Sequence, residues 1–193
     1  MIQRLDGKHV VLASNSPRRK ELLAGLGIDF KVRTLKGIDE SWPDGLQGED
    51  IPKYISHTKA EAYLPTLADD ELLITADTIV YLDHQVLGKP KDVADAKAML
   101  RMLAGRTHEV ITGVTIATRQ KQTTFAVTSL VTFADLTDEE IGHYVENYKP
   151  FDKAGAYGIQ EWIGYIGVTR LEGSYFNVMG LPVQRLYAEL QRF

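Results

Sequence analysis

The sequence contains no cysteine. Disulfides, a thiolate nucleophile and zinc held by sulfur are excluded together. It also lacks an excess of positive charge: 22 Lys and Arg stand against 26 Asp and Glu, a net charge of −4. A basic face that tracks a nucleic-acid polymer is therefore not expected, whereas a small anion needs only a few local cations. No apolar run approaches the ~20 residues of a membrane span. The apolar stretch 10–13 is too short for the core of a secretory signal. The five histidines, His9, His57, His84, His108 and His143, have no metal-ligand spacing and are expected to be surface or structural residues. There is no HExxH, no GxxxxGK(S/T) phosphate loop and no GxSxG elbow, and Gly25-Leu26-Gly27 does not extend into a dinucleotide fingerprint. What these absences leave is a cytoplasmic enzyme as the default expectation.

What is present suits a globular chain. At 193 residues and 44% hydrophobic composition, one domain with a sizeable core is expected over residues 1–193, in two lobes around a cleft. Residues 9–13 (HVVLA) read as a buried strand and 18–26 as a helix with Leu22, Leu23 and Leu26 on one face. A short strand is expected over 30–33, a loop over 36–48 and a helix from Asp50 to about Leu64. Residues 72–76 read as a strand ending at Asp77-Thr78. Residues 79–82 and 86–87 suit a hairpin about Asp83-His84. Asp92 can cap a helix reaching Leu103. Two long strands are expected over 108–117 and 124–133, and Thr137-Asp138-Glu139-Glu140 forms a capping box for a helix to about Asn147. Residues 152–160 read as a Gly-rich loop, 163–168 as a strand and 182–191 as a final helix. Strands and helices mix without strict alternation, which predicts α/β architecture on a mixed sheet flanked by helices.

Four segments can carry chemistry. The loop Ser14-Asn15-Ser16-Pro17-Arg18-Arg19 joins a strand to a helix. Unpaired first-turn amides, two hydroxyls and two guanidiniums there make either an anion site or an ordinary helix cap with solvated arginines. Adjacent helical residues point about 100° apart, so one arginine can bind while the other faces elsewhere. Asp77, placed just past a strand, can hold Mg²⁺ or take a proton from water, or simply cap a turn. Lys89, between Gly88 and Pro90, offers a point charge in a constrained turn or a solvated side chain. In the segment 152–160, Gly155 and Gly158 permit close backbone approach to a ligand, and the Gln160 amide suits the edge of a nucleobase. An ordinary turn over Tyr157 is the alternative.

These segments together resemble the Maf family of nucleoside triphosphate pyrophosphatases. The resemblance runs from residues 12–23 (LASNSPRRKELL) through Ile38-Asp39-Glu40, Lys59-Ala60, Ala76-Asp77-Thr78-Ile79-Val80, Gly88-Lys89-Pro90, Met99-Leu100, Gly105-Arg106 and residues 152–160. It closes with Gly173-Ser174-Tyr175 and Gly180-Leu181-Pro182. It implies an elongated mixed sheet of the Maf/ITPase-like kind and hydrolysis of a nucleoside triphosphate to monophosphate and diphosphate, assisted by Mg²⁺ or Mn²⁺. It implies Asp77 as proton acceptor, Arg18, Thr78 and Gln160 in substrate choice, and Ser14, Arg19, Glu40, Lys59 and Lys89 around the phosphates and metal, with Glu40 and Asp77 as metal ligands. Ala76-Asp77-Thr78 and the segment ending in Gln160 look like the branch acting on dTTP and UTP. The branch acting on 7-methyl-GTP and a non-catalytic nucleotide-binding regulator of division are the alternatives. The resemblance further implies a homodimer and a house-cleaning or division-arrest role. Where the family usually has glycine after the glutamine, this chain has Glu161-Trp162.

Overall fold

Val10, Val11 and Leu12 can all be apolar only if a strand has both faces covered. The computed structural model, which describes residue 5 and residues 7–193, places them so. Strand β1 (His9–Leu12) lies between β2 (Phe30–Val32) and β3 (Glu71–Leu82) and is parallel to both. The other strands are β4 (Gln85–Leu87), β5 (Thr107–Ala117), β6 (Gln122–Phe133) and β7 (Val168–Glu172). One seven-stranded sheet results, in the order β2-β1-β3-β5-β6-β7, with β4 also paired to β3. The β3–β4 and β6–β7 pairs are antiparallel, so the sheet is mixed, as the sequence predicts.

The helices are α1 (Pro17–Ala24), α2 (Asp50–Tyr63), α3 (Val93–Leu103), α4 (Asp138–Tyr148), α5 (Trp162–Gly167), α6 (Tyr175–Met179) and α7 (Val183–Arg192). The starts of α3 and α4 follow the sequence signals. Asp92 Oδ1 accepts the Asp95 amide at 2.8 Å. Thr137 and Glu140 close the capping box in both directions, at 3.2 and 2.8 Å. No helix among the described residues is long and apolar enough to cross a membrane.

Two expectations fail. β3 does not end at Asp77 but runs unbroken to Leu82. It loses β1 as a partner after Ile74 and gains β4 from Val80, so Asp77 sits mid-strand, just beyond the parallel pairing. Asp83 and His84 then make the tight turn, both with positive φ (50° and 63°), the geometry that a two-residue hairpin of matching twist requires. Residues 163–168 are not a strand. Ile163 and Gly167 are buried four residues apart while Tyr165 and Ile166 face outward, a helical spacing. A side chain at Gly164 would overlap the Ile159 carbonyl, so the glycine is what lets this turn form. The strand follows it, as β7.

The chain divides into two compact units. The first holds the chain up to Asp77, Thr112–Val127 and Gly180–Phe193; the second holds Thr78–Ile111 and Thr128–Met179. In the first, Val11, Ala60, Tyr63, Leu67, Leu73 and Ala117 form one apolar cluster. Helix α2 presses on β5 at Gly113, where a Cβ would overlap the Pro52 carbonyl oxygen and lie 2.6 Å from the Lys53 nitrogen. In the second, α3 and α4 bury Leu100, Leu103, Ile141 and Tyr144 with Val110, Phe133 and Tyr157. His108 is buried here, sharing a 2.7 Å hydrogen bond with the Tyr157 hydroxyl and meeting Phe133 edge-on. Burial lowers its pKa to about 4 and pushes that of Tyr157 up, so this pair is neutral at neutral pH.

Two measurements follow from this packing. Gly113→Ala must push α2 away from the sheet and should cost about 3 kcal/mol in urea unfolding. His108 titrates in the unfolded chain near 6.5 and in the native protein near 4. As pH falls through that window the unfolded state takes the proton first, and stability is lost. From pH 7 to pH 5 the parent should lose about 2 kcal/mol more than His108→Gln; equal losses would contradict a neutral buried imidazole.

Candidate active site

Ser14 lies two residues past β1, and the backbone fixes it there: the Ala13 amide donates to Ile74 O at 2.9 Å. Ser14 is buried and its Oγ accepts the Ser16 amide at 3.2 Å. Ser16 Oγ in turn accepts the Arg19 amide at 3.4 Å. Both hydroxyls thus shape the turn and cap α1. The helix cap and the anion-site readings are compatible, because the cap sets where the arginines leave the helix.

Arg19 is pinned by its Nε, which donates to Gly180 O at 2.9 Å. Burial lowers its pKa below the ordinary arginine range, opposed by Asp77; Arg18 adds to the lowering and Glu40 opposes it. An arginine starts so high that it stays charged at neutral pH. Two arginines and two carboxylates therefore share one neighbourhood.

Lys59, on α2, completes it. Its Nζ donates to Asp77 Oδ1 at 2.8 Å and lies 3.2 Å from Glu40 Oε1. Lys59 and Asp77 are nearly enclosed, with side chains 12% and 14% exposed, while Glu40 is 55% exposed. The pair is desolvated and Glu40 forms its wet rim. Glu40 is held by its neighbours: Ile38 packs on the apolar cluster, and Asp39 Oδ1 accepts the Ser41 amide at 2.8 Å. That bond holds the Asp39 carboxyl below its usual range.

A buried hydroxyl chain aligns α2 with β3. Thr75 Oγ1 donates to Ser56 O at 2.6 Å, Ser56 Oγ bonds Thr115 Oγ1 at 3.2 Å, and Thr115 Oγ1 bonds Thr124 Oγ1 at 2.9 Å. Thr75 and Asp77 are two apart on a strand and so share a face. Ser56 lies three residues before Lys59, one helical turn away. The Thr75–Ser56 bond therefore fixes the register in which Lys59 meets Asp77. Sequence reasoning missed it, although a threonine inside Leu-Leu-Ile-Thr-Ala was the available signal.

The remaining residues singled out in the sequence belong to the second unit. Thr78 follows Asp77 in β3 and is half-buried. Lys89 is exposed beside the buried Pro90, and Gly88 O accepts the Gly155 amide at 3.0 Å. Gln160 is half-buried, and its Oε1 is enclosed without a hydrogen-bond partner among the described residues. The segment 152–161 is clasped by side chains. Lys153 Nζ lies 3.1 Å from Glu161 Oε1 and 2.9 Å from Asp152 Oδ1; the Tyr144 hydroxyl donates to Glu161 Oε2 and accepts the Gly158 amide at 3.0 Å. Desolvation, then the Glu161 bond, raise the Tyr144 pKa. The partners of Glu161 were not foreseen; the signal was a lysine amid small and apolar neighbours.

The family model for Maf-like proteins matches residues 9–193. The chain belongs to the Maf family. It is 59% identical over 192 residues to the dTTP/UTP pyrophosphatase of Phocaeicola vulgatus, with all of both chains covered. It is 59% identical to that of Parabacteroides distasonis, again over the whole of both. To that of Porphyromonas gingivalis it is 54% identical, covering 100% of this chain and 98% of the other. A HAM1 protein from Coxiella burnetii has the same fold at 12% identity (TM-score 0.50), covering 96% of this chain and 100% of that one. Within the Maf chain, the charge cluster built on Ser14 to Arg19, Glu40, Lys59 and Asp77 lies wholly in the first unit.

Thr75→Val keeps the shape of the side chain but removes the hydroxyl donor to Ser56 O. It should cost about 1–2 kcal/mol in urea unfolding, and nucleotide turnover should fall further than the same loss of stability produces in Leu67→Val, a variant in the apolar cluster of the same unit.

Proposed function

We propose that the chain hydrolyses dTTP and UTP to the monophosphate and diphosphate. The observation that carries this reading is the enclosed Asp77 carboxylate, held by Lys59 through one oxygen and flanked by Arg19 and Glu40. Full-length relatives named dTTP/UTP pyrophosphatase support the choice of reaction and substrate.

The chemistry has two demands: charge on the triphosphate must be neutralised, and water must be oriented and deprotonated. Arg19 and Lys59 meet the first in the first unit, and the resemblance adds Lys89. Asp77 meets the second. Lys59 occupies its Oδ1, so Oδ2 is the atom to receive the proton as the water oxygen bonds to the α-phosphorus and the bond to the leaving diphosphate breaks. A carboxylate is a weak base at neutral pH, so cationic groups must supply most of the acceleration.

The donor set fits a hard divalent cation. Among the described residues no three His, Cys, Asp or Glu gather to hold one. Two carboxylates do converge, and Mg²⁺ commonly takes one or two together with substrate phosphates and water. Asp77 and Glu40 would hold it, and it would screen the phosphate oxygens. Arg18, Thr78 and Gln160 are assigned to nucleotide choice; an amide can pair with both the N3–H and a carbonyl of a pyrimidine.

Diphosphate release from a panel of nucleoside triphosphates, with Mg²⁺ and with chelator, tests the reading. The parent should favour dTTP and UTP and need the cation, and Asp77→Asn should lose about 10²-fold or more in kcat. Preference for 7-methyl-GTP would overturn the substrate assignment. Nucleotide binding without diphosphate release would overturn the enzyme.

A further inference from the structure

Glu161 stands beside Gln160, yet it points away from ligand chemistry. Both its oxygens are committed, Oε1 to Lys153 and Oε2 to Tyr144. Lys153 and Glu161 are themselves largely enclosed, with side chains 9% and 20% exposed. An ion pair this dry is a costly way to gain stability, since apolar residues of the same volume often do as well. What it provides is geometry. Lys153 and Glu161 stand eight residues apart, on either side of the stretch that carries Gln160, and their pairing closes it. Between them the Gly158 amide is fixed on the Tyr144 hydroxyl at 3.0 Å.

Gly158 shows how tightly the closure is drawn. A Cβ there would lie 3.0 Å from Glu161 Cδ, 3.0 Å from Lys153 Cε and 3.1 Å from Gln160 Nε2. The Gln160 amide is therefore packed against the same glycine that the ion pair packs against. Its Oε1 is enclosed and has no hydrogen-bond partner among the described residues. A buried acceptor left unpaired costs about 1–3 kcal/mol, which a donor that reached it would relieve.

We propose that Lys153, Glu161 and Tyr144 form a clasp that positions the Gln160 amide to receive the base of the nucleotide. Glu161 and Tyr144 are positioning residues; they set affinity for the base and selectivity between bases without taking part in phosphate chemistry. The inference rests on the pyrimidine nucleotide reading above, and the experiment separates the two.

Steady-state constants for dTTP, UTP and GTP are measured for the parent, Glu161→Ala, Glu161→Gln and Tyr144→Phe, together with the inhibition constant of inorganic triphosphate, which carries no base. Glu161→Ala should raise KM for dTTP and UTP roughly tenfold, leave kcat within about twofold and lower the preference over GTP. Its inhibition constant for inorganic triphosphate should match that of the parent. Glu161→Gln keeps an acceptor for Tyr144 and should recover most of the loss. Tyr144→Phe removes one hydroxyl and should raise KM in the same direction, with faster hydrogen exchange at the Gly158 amide. If Glu161→Ala does not fold, Glu161→Gln and Tyr144→Phe carry the comparison. Should Glu161 and Tyr144 variants keep the parental KM and selectivity, or lose kcat and triphosphate binding equally, the clasp is overturned while the pyrimidine reading stands. Should the parent itself turn over neither dTTP nor UTP, that reading falls and the clasp with it.

Discussion

The structure depends on how Asp77 and Lys59 are brought together. A carboxylate and an ammonium that are both nearly enclosed gain strongly from one another, and each would be expensive to bury alone. The pair therefore has to form in one register. That register is set away from the charges, where α2 meets the sheet. Gly113 lets the helix backbone come closer than any side chain would permit, and the Thr75 hydroxyl locks Ser56 one turn before Lys59. Removing the hydroxyl costs on the order of 1–2 kcal/mol, a small part of the stability of such a chain. A small displacement of Lys59 would change which atom of Asp77 it holds.

The same reasoning explains why both serines of the N-terminal loop are spent on backbone amides. A cap that uses Ser14 and Ser16 fixes the entry of α1, and Arg19 is then held by Gly180 O rather than by solvent. Its guanidinium loses hydration but faces Asp77 and Glu40, which offset the loss. A preorganised cation of this kind needs little rearrangement when charge appears on a ligand, which is the condition under which fixed charges are most effective.

Much of this was legible in the sequence, for identifiable reasons. Strand β1 showed as an unbroken apolar run, α3 and α4 through their caps, and the charged residues through their order along the chain. The sequence pattern puts Asp77 past a strand end, but β3 continues; what opens the position is that β1 stops at Leu12↔Ile74 and leaves the next residues free of parallel pairing. A local pattern cannot tell where a neighbouring strand ends. Residues 163–168 misled for a related reason: six residues hold too few turns for the helical period to stand out, and Gly164 is there for contact with Ile159 O, which is a backbone relation. The partners of Glu161 lie eight and seventeen residues away and follow no periodicity at all.

Two carboxylates, Asp77 and Glu161, illustrate why position rather than residue type decides the role. Each is paired to a largely enclosed lysine at about the same distance, 2.8 and 3.1 Å. Glu161 meets a second fixed donor, the Tyr144 hydroxyl, on its other oxygen. A carboxylate with both oxygens held by the protein is a strut: it is fixed at two points and transmits geometry. Asp77 is gripped by Lys59 at Oδ1, and the groups around it are cations and the exposed Glu40 rather than a second neutral donor. Such an arrangement orients the group while leaving it chemically open. An added neutral donor on Asp77 Oδ2 would turn it into a second Glu161, held at both oxygens.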